Sequence, residues 1–143
     1  MVGFSGPAFA TDPTPSSSAS PTRAEQVTGI QNQYNPLFDA EYARLLVLKK
    51  KAVVDAGLTK SVKAVLVDFL GMRRIINDGL ASSTEDLVAL SAFAEEESGE
   101  FSSTINILES QAAKIKTISC IKGKAVKKVT GLVPKCPKSY KKK

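Results

Sequence analysis

Between Leu37 and Ile115 the apolar residues recur at intervals of three and four, a spacing that commits most of the chain to amphipathic helices. Leu37, Phe38, Tyr42, Leu45, Leu46, Leu48, Ala52 and Val53 form one stripe. Phe101, Ile105, Leu108, Ala112 and Ile115 form another, with the repeat of a coiled-coil seam. Between them, Val62, Val65, Leu66, Phe69, Leu70, Met72, Ile75, Ile76 and Leu80 cover a wider arc, which predicts the most buried helix of three. With six Phe, three Tyr and no Trp, the core has to be built mainly from Leu, Ile, Val and Ala.

Local signals place the helix ends. Thr22 followed by Glu25 reads as a capping box, in which each side chain satisfies a backbone amide of the first turn. Asn35-Pro36 predicts a break or kink, with a first piece ending near Tyr34. Gly57 is the expected stop of the first helix, and Thr59 or Ser61 the cap of the second. Gly79 fits the second helix's end. Ser82, Ser83 or Thr84, backed by Glu85 and Asp86, opens the third, and Glu95 to Glu100 is expected to fray or kink it. Short connections favour antiparallel neighbours, hence an up-down-up bundle.

After Ile115 the pattern changes. Ile118-Ser119-Cys120-Ile121 and Ala125 to Thr130 flank Lys122-Gly123-Lys124, β-branched runs on either side of a tight glycine turn, which predicts a hairpin. Gly131, Pro134 and Pro137 should end regular structure. A lone hairpin is marginal in water. A bond between the only cysteines, Cys120 and Cys136, would close a loop of about 17 residues and contribute on the order of 3 kcal/mol. The expected fold is therefore mainly α: a three-helix antiparallel bundle or coiled coil with a small disulfide-closed β-hairpin.

Charge divides the chain at the same place. Residues 1–113 hold 9 basic and 14 acidic side chains, whereas residues 114–143 hold 11 lysines and no acid. Such asymmetry points to a domain with an interaction tail. Lys122, Lys124, Lys127, Lys128, Lys135, Lys138 and Lys141 are the candidate polyanion-binding residues, since crowded like charges are relieved when an anionic polymer docks. The alternative is that they keep the tail soluble and blunt its exposed strand edges.

Ala8-Phe9-Ala10 has the small residues a signal peptidase accepts, and residues 1–10 read as the end of a signal peptide whose start lies upstream. Residues 11–22 contain a Ser/Thr/Pro tract that cannot bury apolar surface and reads as a spacer. An even cysteine count agrees with export. The expected organisation is thus 1–10 signal-peptide end, 11–22 linker, 23–116 bundle and 117–143 tail.

Catalysis is not expected. The chain has no histidine, which removes the commonest general base and transition-metal ligand. It contains no nucleotide-binding glycine loop and no nucleophile elbow. Glu95, Glu96 and Glu97 splay around a helix and read as a solvated acidic face. Arg73-Arg74 reads as a source of surface ion pairs. No cofactor or metal is expected.

The run from Ile118 to Lys143 resembles the C-terminal tail of uncharacterised secreted actinobacterial proteins. The matching residues are Cys120, Lys122, Gly123, Lys124, Lys127 to Thr130, Pro134 to Pro137 and Tyr140 to Lys142, with Ser139 where those tails often carry glycine. The resemblance implies export and a modular tail; it implies no reaction. The expectation is an exported, non-enzymatic protein, extracellular or associated with the cell envelope, whose tail binds anionic wall polymers or a membrane surface. Its bundle would serve as a protein-partner surface or self-associate through the Phe101–Ile115 seam, the preferred alternative being that this seam packs within the chain. The alternative is a nucleic-acid-binding protein in which tail lysines engage phosphate and Tyr140 stacks a base.

Overall fold

The computed structural model describes Gly3 and residues 19–143. The signal-peptide end (Gly3 apart) and most of the Ser/Thr/Pro tract therefore lie outside the described residues. Three helices, α1 (Arg23–Ala52), α2 (Ala56–Ala81) and α3 (Leu87–Ala112), are followed by strands β1 (Lys116–Lys122), β2 (Ala125–Gly131) and β3 (Lys141–Lys142). The protein is mainly α, with the helices packed pairwise and the small sheet at the C-terminal end.

The capping box at Thr22 and Glu25 is present: the Glu25 carboxylate accepts from the Thr22 N–H at 2.7 Å, and Thr22 Oγ1 accepts from the Glu25 N–H at 3.3 Å. Pro36, however, does not divide the first helix, and α1 runs through it. Its ring removes one amide donor, but both Pro36 and Asn32, whose carbonyl loses that bond, face solvent. Tyr34 and Phe38 on either side are buried and hold the helix against the core. The freed carbonyl lies on the solvent side, open to hydration, so the lost bond does not disturb the packed face.

Two helix starts also differ from expectation. Gly57 lies inside α2, which opens earlier because Asp55 is its cap, accepting from the Leu58 N–H at 3.0 Å. Thr59 instead closes α1, its hydroxyl donating to the Ala52 carbonyl at 2.7 Å. Asp86, rather than Ser82, Ser83 or Thr84, caps α3, accepting from the Val88 and Ala89 amides. A carboxylate at a helix N-terminus gains from the helix dipole as well as the hydrogen bond, which lets aspartate prevail over nearby hydroxyls. α3 is continuous through Glu95 to Glu100.

Gly79 serves packing rather than termination. A Cβ there would lie 2.9 Å from a Leu90 methyl, so its absence lets α2 and α3 approach closely. The core is filled by Leu45, Leu48, Leu58, Val62 and Ile105, all at most 2% exposed, around an aromatic group in mid-bundle. Phe69 is at its centre, 5.1 Å from Phe101 edge-on, 6.2 Å from Phe38 and 6.2 Å from Tyr42. The seam on α3 is used within the chain: Ile105 is fully buried and Ile115 packs against the same core. The wide apolar arc of α2 is only partly covered, since Val67, Leu70 and Ile75 remain exposed.

Among the described residues one charged side chain is buried. Glu41 accepts a long hydrogen bond from Ser98 Oγ at 3.4 Å on one carboxylate oxygen, and the other has no partner. Burial raises its pKa above the ordinary glutamate value, against the opposing effects of Ser98 and Arg44. Because the folded state holds that proton more tightly than the unfolded chain, Glu41 weakens folding as pH rises from the unfolded value through the folded one. Glu41→Gln is expected to stabilise the bundle by on the order of 1 kcal/mol at pH 7. That gain should disappear on acidification, when Glu41 is itself neutral; urea unfolding of the two proteins at both pH values measures it. A gain unchanged by acidification would mean that the charge is not its source.

Candidate functional site

The sheet order is β2-β1-β3, both neighbours antiparallel to the central β1. The expected hairpin is there, in register from Lys116 opposite Gly131 to Lys122 opposite Ala125. Its two-residue turn has Gly123 at φ +59° and no positive φ at Lys124, the pattern of a type II′ turn that needs glycine first. Regular structure does not end at the prolines, however. Lys141–Lys142 returns to pair with Cys120 and Ile121, and the Lys143 N–H donates to the Ser119 carbonyl at 3.0 Å.

β2 and β3 run parallel on opposite edges, so residues 132–140 must cross a face of β1. The disulfide fixes which one: Cys136 on the crossing segment is bonded to Cys120, with Cα atoms 5.6 Å apart and Cys120 fully buried. Alternation along the strands puts Ile118, Lys122, Lys127 and Val129 on this covered side. The crossing segment ends in a tight turn, with the Tyr140 N–H donating to the Pro137 carbonyl at 3.0 Å. Ser139 in that turn adopts φ +70°, a left-handed conformation that costs a non-glycine residue on the order of 1 kcal/mol. Ser139→Gly is accordingly expected to stabilise the tail by about 0.5–1 kcal/mol, read as slower amide exchange at Lys143. Unchanged or faster exchange there would show that the turn carries no such strain.

The seven candidate lysines do not share a face. Lys122 and Lys127 lie on the disulfide side; Lys128 and Lys141 alternate to the other. Lys124 is at the turn tip, and Lys135 and Lys138 are on the crossing segment. The tail is thus cationic on both faces and along its edges rather than over one flat patch.

The bundle enlarges this site, which the tail sequence alone did not disclose. Lys49, Lys50 and Lys51 form the last turn of α1, Lys60 and Lys63 lie in the first turns of α2, and Lys114 follows α3. At 1.5 Å per residue, every lysine on the helices is within roughly 11 Å of the end from which the sheet emerges. Only Asp55 and Glu109 share that end; the other described carboxylates of the helices begin about 16 Å from it. Both are engaged. Asp55 caps α2 and also accepts from the Leu132 N–H at 3.3 Å, and these bonds hold its pKa below the ordinary aspartate value. Glu109 pairs with Arg44 at 2.7 Å, and that hydrogen-bonded guanidinium lowers its pKa likewise.

Arginines account for the ion pairs elsewhere: Arg73 meets Asp39 at 2.9 Å and lies over the Phe38 ring. Arg23 donates to the Glu85 and Ser82 carbonyls. Among the described residues no lysine forms an ion pair. Glu95 and Glu96 are exposed, and burial together with Glu100 and Glu96 raises the Glu97 pKa. No cluster of three or more potential metal ligands occurs among the described residues. No described helix is long and apolar enough to cross a membrane.

No family model, curated protein or solved structure matches the chain.

Proposed function

We propose that the protein is an exported, non-enzymatic component of the cell envelope that attaches through its lysine-rich end to phosphate- or carboxylate-bearing wall polymers or lipid head groups. One observation carries this reading: all sixteen lysines are gathered at the sheet end, unpaired among the described residues, while most carboxylates are held away from it. Unpaired lysines spread over both sides and the edges of the sheet suit a flexible polyanion that can wrap, since they act as point charges without directional demands. The disulfide agrees with an oxidising compartment. The resemblance of residues 118–143 to secreted tails supports the same location. Tyr140 is half-buried beside its turn, which disfavours the base-stacking role required by nucleic-acid binding.

Binding to long-chain polyphosphate tests the reading. With six or more contacts to phosphate, affinity is expected to fall about 10³-fold or more between roughly 50 and 200 mM salt. Deleting residues 117–143 should remove most of it, and reversing charge at Lys49, Lys50 and Lys51 should lower both the affinity and the salt slope. A protein that ignores polyphosphate and phosphatidylglycerol vesicles at low salt is not an envelope-binding protein of this kind.

A further inference from the structure

A groove of about 530 Å³ lies where the bundle meets the sheet, between the C-terminal turns of α1 and α3. Leu48 and Ala112 form its floor, and Val47, Val54, Ala113 and Ile115 its walls. Val47 and Val54 are 50% and 41% exposed, which leaves branched apolar surface inside the most strongly charged region of the molecule. Lys50 and Lys51 stand on the rim, and Thr130 closes the side toward the sheet. Glu109 also borders the groove, but its charge is offset by Arg44, whose Nε and Nη2 donate to its two oxygens at 2.9 and 2.7 Å. The volume falls within the range of small-ligand clefts, about 300–1,000 Å³.

A purely polymeric polyanion would leave this apolar floor unused. A neutral hydrophobe would gain nothing from the lysines around it. Both features are satisfied by one chemistry, a hydrocarbon chain ending in an anionic head. We infer that the groove takes the acyl chain of an anionic lipid, its phosphate held by Lys50 and Lys51. The inference rests on the proposed role of the cationic end and makes it specific: lipid is held by one chain as well as by charge.

Dodecyl phosphate below its micellar concentration, titrated into the full chain, is the direct probe. Affinity is expected to rise roughly tenfold for each two methylenes the groove takes in, so dodecyl phosphate should exceed octyl phosphate by far more than charge explains. Amide shifts should concentrate at Val54, Ala113 and Ile115. Ala113→Trp, at an exposed position beside the groove, should fill it. That variant should lose the chain-length dependence at least about tenfold while binding polyphosphate as before. Equal affinity for octyl and dodecyl phosphate, with polyphosphate binding intact, overturns the groove and leaves the electrostatic reading standing. Loss of polyphosphate binding in the unmodified chain overturns the electrostatic reading instead. Ala113→Leu, a smaller plug with the same expected direction, covers the case in which tryptophan disturbs the helix end.

Discussion

Reduction of the Cys120–Cys136 bond is expected to melt the tail sheet and leave the bundle folded. Among the described elements no helix packs along a strand. The sheet is held through a narrow neck, in which Ile115 and Leu132 reach the core and the Leu132 N–H meets Asp55. A sheet this small is close to its own stability limit, so the loop closed across 16 residues decides whether it persists. Its contribution of about 3 kcal/mol corresponds to a rise of roughly 100-fold in amide exchange for residues paired between β1 and β2. Cys120→Ser with Cys136→Ser should show that rise with helical circular dichroism unchanged, and polyphosphate affinity should fall as the lysines lose their shared frame. Protection in β1 and β2 that survives the double substitution would sink the claim that the disulfide holds the sheet.

Phe69→Ala should do the reverse, destabilising the bundle from its centre. Phe69 is fully buried and touches aromatic rings from α1 and α3, so no single helix can close the space it leaves. Truncating a buried phenylalanine costs about 3–5 kcal/mol in transfer and cavity terms. Against a total stability of about 5–15 kcal/mol for a domain of ordinary size, that removes at least roughly a fifth of what holds the bundle folded. Urea unfolding followed by helical circular dichroism measures the loss, and a cost below about 1 kcal/mol would mean the four rings do not form one packed unit.

The helices were legible because a three- and four-residue apolar repeat has few other solutions, and Ile105 and Leu108 are buried as that repeat demands. Their ends were harder to read. Asp55 competes with Thr59 as a cap, and only the fold reveals that Asp55 also receives Leu132, seventy-seven residues further on. Pro36 misleads for the opposite reason: its cost depends on whether the freed carbonyl meets water, a property of the packed helix and not of the dipeptide. β3 gives almost no local signal, since Lys141-Lys142 is two residues of low strand propensity drawn into the sheet by the crossing segment. Lys49, Lys50, Lys51, Lys60 and Lys63 could have been found. An up-down-up order puts the first loop beside the exit of the third helix, and these residues flank that loop on both sides.

The thirty residues of α1 extend about 45 Å from that loop to Thr22. If its lysine end lay on an anionic surface, as proposed, such a rod would stand upright like a bristle. Neighbouring copies would then carry acidic flanks on α3, at the exposed Glu95, Glu96 and Glu100, away from that surface. Mutual repulsion along those flanks would space the molecules apart. The surface would then carry a sparse, negatively charged nap in place of the charge that the lysines had covered.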